Sequence, residues 1–310
     1  MPRKELEEAR VRLYEKKDRT RIVIGIGLTL FIVFLLVAVL NAIDSINVTL
    51  RAGDGPQKRF LTWFVIALSG FTGPYGFYVA RKQKTIKQIE RRLPEFLRDV
   101  AEAGRFGMTL AEAIVVASSG RYGKLTPEIK KMAAQINWGV PAAEALRLFS
   151  TRVDTPMVNR VVSIIVKSSD AGGDVADVLA MVSHDTKETQ MTEDERKIAM
   201  STYIAVIYIS FLVFLVTIWI LNVTFLPKIQ ESSEAMTRQA QQQGASIPGI
   251  LPENIGEVIL GIQLAFFIAA IVHAVGDGIL AGVLDNGKVA NGLKHSFLML
   301  LIAVIGFQFI

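Results

Sequence analysis

Residues 22–40 form a run of 19 residues without a charge. A helix of about 20 apolar residues is what the hydrocarbon core of a bilayer requires. Such a run is too uniform for one face of a helix packed in water. Similar runs follow at 60–80, 201–226 and 255–284, with a shorter one at 296–310. Between the second and third runs, residues 81–200 are charged and helix-patterned throughout. The chain therefore reads as an all-α, polytopic membrane protein. A charged tail (1–21) leads into two transmembrane helices joined by a short outside loop (22–80). A helical domain (81–200) comes next, then a C-terminal membrane region (201–310) of two or three spans.

Composition supports this division. The hydrophobic share is 51% and the mean hydropathy +0.39, more apolar than ordinary soluble domains. Cysteine is absent, so no disulfide, thiolate metal site or cysteine nucleophile can form. Three histidines leave little for a histidine metal cluster. The opening 21 residues are mostly charged, and no small-residue cleavage site follows the first run closely, unlike a secretory signal peptide. Basic residues set the expected orientation. Eight lie in the tail, three in the first loop, 19 in the central domain, and two in each of the later polar segments. The N-terminus and residues 81–200 are thus expected on the cytoplasmic side of the cell membrane.

Within 81–200 about six helices with short turns are expected, a bundle. Ile86, Ile89, Leu93, Phe96, Leu97 and Val100 fall at helical spacing, with a break or kink at Pro94. Thr109 and Glu112 form a capping box. Thr126 caps the next helix with Pro127 at its first position, and Gly139 closes it. Pro141 opens another, Asp154 or Thr155 caps the following one, and Gly172–Gly173 ends that. Asp174 caps the last helix, which runs on into the third apolar run. Pro227 is expected to end that run. The segment 228–254, with its glutamine-rich patch, reads as a loop with at most one short helix. Asn47-Val-Thr and Asn222-Val-Thr are glycosylation sequons of low specificity.

Few residues carry recognisable chemistry. Gly120-Arg-Tyr-Gly-Lys-Leu lacks the spacing and hydroxyl of a phosphate loop and reads as a turn between helices. His273 and Asp277 share one face of the fourth run. Ionisable groups there are functional suspects, but the neighbouring Gly276, Gly278 and Gly282 favour a mutual pair at a close helix contact. The central domain balances 19 basic against 16 acidic residues. That balance suits protein docking rather than nucleic acid, which asks for a stronger basic stripe and stacking aromatics. The run Arg81, Lys82, Lys84, Lys87, Arg91, Arg92 reads as a headgroup anchor directly after a membrane segment, or as a face for an acidic partner.

Two stretches, Gly107-Met-Thr-Leu-Ala-Glu-Ala113 and Trp138-Gly-Val-Pro-Ala-Ala-Glu-Ala145, resemble the F-domain family of inner-membrane platform proteins in type II secretion and type IV pilus systems. Leu148-Phe149, Asp170-Ala-Gly-Gly173, Asp177 and Leu179 extend the likeness. Gly276-Asp-Gly-Ile-Leu-Ala-Gly-Val-Leu-Asp-Asn-Gly287 and the Gly292-Leu-Lys-His-Ser that follows look like the archaeal branch, the archaellum and pilus platforms. The resemblance implies a non-enzymatic platform without cofactors. It also implies a cytoplasmic secretion ATPase docked on the helical domain, and pilin or archaellin subunits handled by the membrane helices. Many members carry two such domains and this chain shows one. That implies a homo-oligomer, pairing with a paralogous chain, or one half of a longer relative. Arg105, Glu112, Arg147, Arg152, Gly172 and Gly173 are the expected docking positions, chosen as exposed charges and turns. The rival reading is a secondary transporter with a cytoplasmic helical domain, but the sequence shows no internal repeat, and the 120-residue helical insertion (81–200) counts against it.

Overall fold

The computed structural model describes residues 20–43, 56–242 and 255–308. The charged tail, the Asn47 sequon and the Pro248–Pro252 region fall outside the described residues. Among the described residues no strand occurs, and eleven α-helices are joined by turns and three short irregular helices. Five helical stretches are long and apolar enough to cross a membrane, the last being Val289–Phe307. The protein is an all-α, multi-pass membrane protein. The chain divides into two compact units, one made of residues 81–196 and the other of 19–80 with 197–310.

The 81–196 unit begins at the end of α2 (Pro56–Glu90). The helix breaks at Arg91–Arg92, two residues before the expected place, and α3 (Leu93–Arg105) starts with Pro94 in its first turn. The cause is local. Pro94 has no N–H to give the Glu90 carbonyl, and its ring would clash with that carbonyl inside a continuous helix. In a first turn neither cost arises. The released Glu90 carbonyl instead accepts from Gln190 Nε2 at 2.7 Å, so a backbone acceptor is not left bare.

Helices α4 (Leu110–Ala117), α5 (Thr126–Asn137), α6 (Ala142–Val153), α7 (Pro156–Asp170) and α8 (Val175–Ile220) follow. The capping box at Thr109 and Glu112 is present. The Thr109 backbone N–H and hydroxyl hold the Glu112 carboxyl below its ordinary range. Asp174 accepts from the N–H groups of Ala176 and Asp177. Thr155, not Asp154, caps α7, while Asp154 takes a left-handed conformation (φ 48°) that ends α6. Thr126 is not a cap. A 3-10 turn over Gly123–Leu125 precedes it, and its hydroxyl accepts from the Tyr122 N–H at 2.8 Å.

The core of this unit is one cluster, with Phe96, Leu97 and Val100 of α3 meeting Ile114, Ile129, Met132, Phe149, Val161, Ile165 and Leu179. Phe96 meets Tyr122 edge to face, ring centroids 5.5 Å apart, a favoured aromatic geometry. The buried Tyr122 hydroxyl donates to Asp99 Oδ2 (2.6 Å), with the Ala117 carbonyl 3.0 Å away. Burial, then the Asp99 carboxylate, pushes the Tyr122 ionisation far up, so the ring stays neutral and serves packing.

The other unit holds α1 (Thr20–Ala42), the apolar part of α2, the second half of α8, α9 (Leu226–Gln242), α10 (Ile255–Asn286) and α11 (Gly292–Gln308). Pro227 does not end the third run. A π-turn over Leu221–Phe225 immediately precedes it, and the helix continues as α9. The wider turn moves the carbonyl that the Pro227 ring would strike. The segment read as a loop from 228 is therefore helical to Gln242. Asn222 of the second sequon is buried in this π-turn, which removes it as a glycosylation acceptor.

Small residues let α10 and α11 meet backbone to backbone. A Cβ at Gly282 would collide with Gly292, and one at Gly278 with Ser296. Ser296 Oγ donates to the Val275 carbonyl (3.1 Å) and Lys294 pairs with Asp285 at 3.0 Å. Small interfaces of this kind are how helices associate in lipid. Gly276, the third glycine of the motif, faces open space. Gly282→Ala should therefore destabilise the protein by about 1–3 kcal/mol or more through overpacking. Gly276→Ala should be neutral or stabilising by up to about 1 kcal/mol. Thermal unfolding of both variants in detergent checks the contrast.

Candidate docking surface

Two turns of the 81–196 unit are built alike. Helix α3 ends on Phe106, with Gly107 at φ 85°. The Gly107 and Met108 N–H groups donate back to the Gly104 and Ala103 carbonyls. Helix α5 ends on Trp138, with Gly139 at φ 87°. The Gly139 and Val140 N–H groups donate back to the Ile136 and Gln135 carbonyls. Both are Schellman closures, in which glycine takes the left-handed position without a Cβ penalty. The likeness extends into the flanking helices at an offset of 32 residues. Leu97, Val100, Ala101, Ala113 and Ile114 correspond to Ile129, Met132, Ala133, Ala145 and Leu146, and all ten are buried. The hairpins α3–α4 and α5–α6 are thus a repeat inside the domain.

The two turns lie at the same end of the bundle. Each helix from α3 to α6 packs against the next. Arg152, late in α6, reaches Glu128 at the start of α5, so these helices run antiparallel. Tyr122, just before α5, meets Phe96 near the start of α3. At the other end, Arg105 lies 3.6 Å from Asp177, which brings the end of α3 beside the start of α8 and the Gly172–Gly173 turn.

This end carries the two most exposed large apolar residues of the unit, Phe106 at 85% and Trp138 at 89%. Exposed single apolar residues are ordinary. Here the aromatic occupies the same place in both copies of a repeat whose matched core positions are all filled. A rigid turn presenting a large aromatic is the composition of an interface anchor.

The expected docking residues divide. Arg105, Glu112, Gly172 and Gly173 lie at this end. Gly172 adopts φ 73°, and Glu112 is committed to its capping box. Arg147 is exposed on α6, 3.9 Å from Glu144 and 3.3 Å from Asp170. Arg152 was expected to be exposed and is not: its side chain is 7% exposed, bonded to Glu128 Oε2 at 2.9 Å and Gln135 Oε1 at 3.3 Å. It is a strut between α5 and α6 at the opposite end. The sequence could not separate Arg152 from Arg147, because both sit on one helix and which of them is covered depends on the helix opposite. The aromatic pair had a signal that was available: Phe-Gly and Trp-Gly each stand six residues before the glutamate of an Ala-Glu-Ala.

In the membrane unit, His273 Nδ1 lies 3.3 Å from Asp277 Oδ2, and the His273 ring packs on Phe214 at 4.3 Å. The two residues meet as their spacing requires. A second polar contact was missed: Tyr208 Oη and His295 Nδ1 are 2.7 Å apart. Its partners are 87 residues apart, beyond any periodicity argument.

Fold and surface together define a multi-pass membrane protein whose residues 81–196 form a separate helical unit. Residues 96–222 match the family described as type II secretion system (T2SS), protein F. The chain is also similar to an uncharacterized protein of Methanocaldococcus jannaschii, 27% identical over 235 residues covering 76% of this chain. It spans 35% of that relative's length. No solved structure matches the chain.

The Glu128–Arg152 strut makes a pH test. Burial opposes ionisation of Glu128, but hydrogen bonds and charges from Lys131 and Arg152 outweigh it and lower the carboxyl below 4.5. A group lowered in the folded state stabilises fully above its unfolded value and loses that contribution as pH falls through the folded one. The melting temperature of Glu128→Gln should lie below that of the parent at pH 7. The gap should close between about pH 5 and pH 3. Melting curves across that range check it.

Proposed function

We propose that this chain is the non-catalytic membrane platform of a filament or secretion machine of the type IV pilus, archaellum or type II secretion kind. In this reading residues 81–196 face the cytoplasm, as the basic residues of the tail and domain favour. A cytoplasmic secretion ATPase docks on the bundle end that bears Phe106 and Trp138. Its motion passes to the membrane helices, which handle pilin or archaellin subunits. Self-association, or pairing with a second chain of the same family, supplies the further domain copies that such a machine uses.

The observation that carries the reading is the pair of exposed aromatics on repeated, glycine-locked turns inside the family-matched segment. Arg105 at the same end, and Arg147 on α6, add exposed charge that steers a partner. The Gly172–Gly173 turn shares the same end. Five candidate membrane helices and the family match support a multi-pass platform. His273 and Asp277 pair with each other within α10, a structural role in helix packing that asks for no proton path.

The test uses the full-length protein in detergent and the secretion ATPase of the same cell. Saturable binding is expected. Phe106→Ala and Trp138→Ala should each weaken it by about 30-fold, since an interface anchor is worth about 2 kcal/mol. The melting temperature should be unchanged, because neither ring is in the core. Arg105→Glu with Arg147→Glu should mainly slow association. Binding unaffected by the aromatic pair would place the docking face elsewhere.

A further inference from the structure

The break before α3 also builds a cleft at the other end of the bundle. It has a volume of about 470 Å³ and is lined by Gln88, Arg91, Arg92, Glu95, Lys124 and Lys187, with Gly123. The size is that of a small-ligand site. Four cations and one carboxylate face it. The carboxylate is already engaged, as Arg92 donates to both oxygens of Glu95 at 2.7 and 2.8 Å. The adjacent Glu90 is turned toward the Met157 N–H at 3.3 Å. Among the described residues, Arg91, Lys124 and Lys187 make no ion pair. Lys124 is oriented by the Thr85 hydroxyl at 3.3 Å.

Three separate parts of the chain bring these charges together. Pro94 forces the turn that places Arg91 and Arg92 at the end of α2. Gly123, at φ 57°, starts the 3-10 turn that carries Lys124. Lys187 comes from α8. Three unpaired cations converging in one concavity repel one another, and an anion relieves that cost. No aromatic lines the cleft, so it has nothing to stack a base.

We propose that this cleft binds a multiply charged phosphate group, held by Arg91, Lys124 and Lys187. Arg91 offers a planar fork to phosphate oxygens, and the lysines act as point charges. Two sources share that chemistry: the phosphorylated headgroup of a lipid, and a free polyphosphate. Gly120-Arg-Tyr-Gly-Lys-Leu then has a use after all. It is no phosphate loop by spacing, yet it delivers one backbone turn and one lysine to an anion.

The experiment measures inorganic tripolyphosphate binding by calorimetry to the full-length protein in neutral-lipid nanodiscs. One-to-one saturable binding is expected. Lys124→Gln with Lys187→Gln should weaken it about tenfold or more. Lys130→Gln with Lys167→Gln, which removes two exposed charges elsewhere on the unit, should barely change it. Melting temperatures without ligand show that each variant folds. No binding, or equal weakening by both pairs, overturns the proposal. Repeating the titration in nanodiscs containing a phosphoinositide separates the sources. Loss of tripolyphosphate binding there, as the lipid headgroup occupies the cleft, assigns a headgroup. Unchanged binding assigns a soluble phosphate.

Discussion

A single missing hydrogen bond shapes the 81–196 unit. Pro94 cannot donate to the Glu90 carbonyl, so α2 must stop and α3 must start afresh. The cost of a bare carbonyl falls on Gln190, whose amide reaches it from α8 at 2.7 Å. Ser183 Oγ, about two turns earlier on the same face of α8, donates to the Pro94 carbonyl at 2.9 Å. The same helix therefore binds both sides of the break. What a proline removes from local structure is returned by a residue about a hundred positions later. This ties the first element of the domain to the last, before any apolar packing is counted.

The rest of the bundle follows from repetition. Two hairpins of the same pattern bury the same five positions each and close on the same left-handed glycine. A repeat can conserve its core and still vary its surface. Here the surface position that stays aromatic is the most exposed one, Phe106 in one copy and Trp138 in the other. Folding gives no reason for that choice, since the closure needs glycine after the cap and tolerates a polar residue at it. The aromatic is better explained by something outside the bundle that receives it.

Much of this was legible in the sequence, and the failures share a cause. Apolar run length gave the membrane helices, because hydrocarbon thickness is a hard external ruler. The caps at Thr109–Glu112 and Asp174 were legible because their bonds are made within three residues. Thr126 failed because a competing 3-10 turn used its hydroxyl for the Tyr122 N–H. Pro227 failed because a π-turn five residues wide made room for it, and nothing in Leu-Asn-Val-Thr-Phe announces that turn. Arg152 failed because burial depends on which helix lies opposite. The hairpin repeat was missed, and the expectation of no internal repeat is overturned: the two motifs share only a short glycine and Ala-Glu-Ala pattern, and their common core positions become plain only once the helices are placed.

The membrane unit shows the same economy with the opposite material. Lipid offers α10 and α11 no hydrophobic reason to meet, since tails are as apolar as side chains. Their contact rests on what is absent at Gly278 and Gly282, which lets the backbones of Ser296 and Gly292 approach, and on the polar bonds that closeness allows. Ser296 to the Val275 carbonyl and Lys294 to Asp285 form only because no side chain intervenes. Polar groups placed there are satisfied by the partner helix instead of by water. Glycine and ion pair are therefore one device: enlarging Gly278 or Gly282 would strand the polar groups as well as crowd the helices. Gly276, which touches nothing, stands outside it.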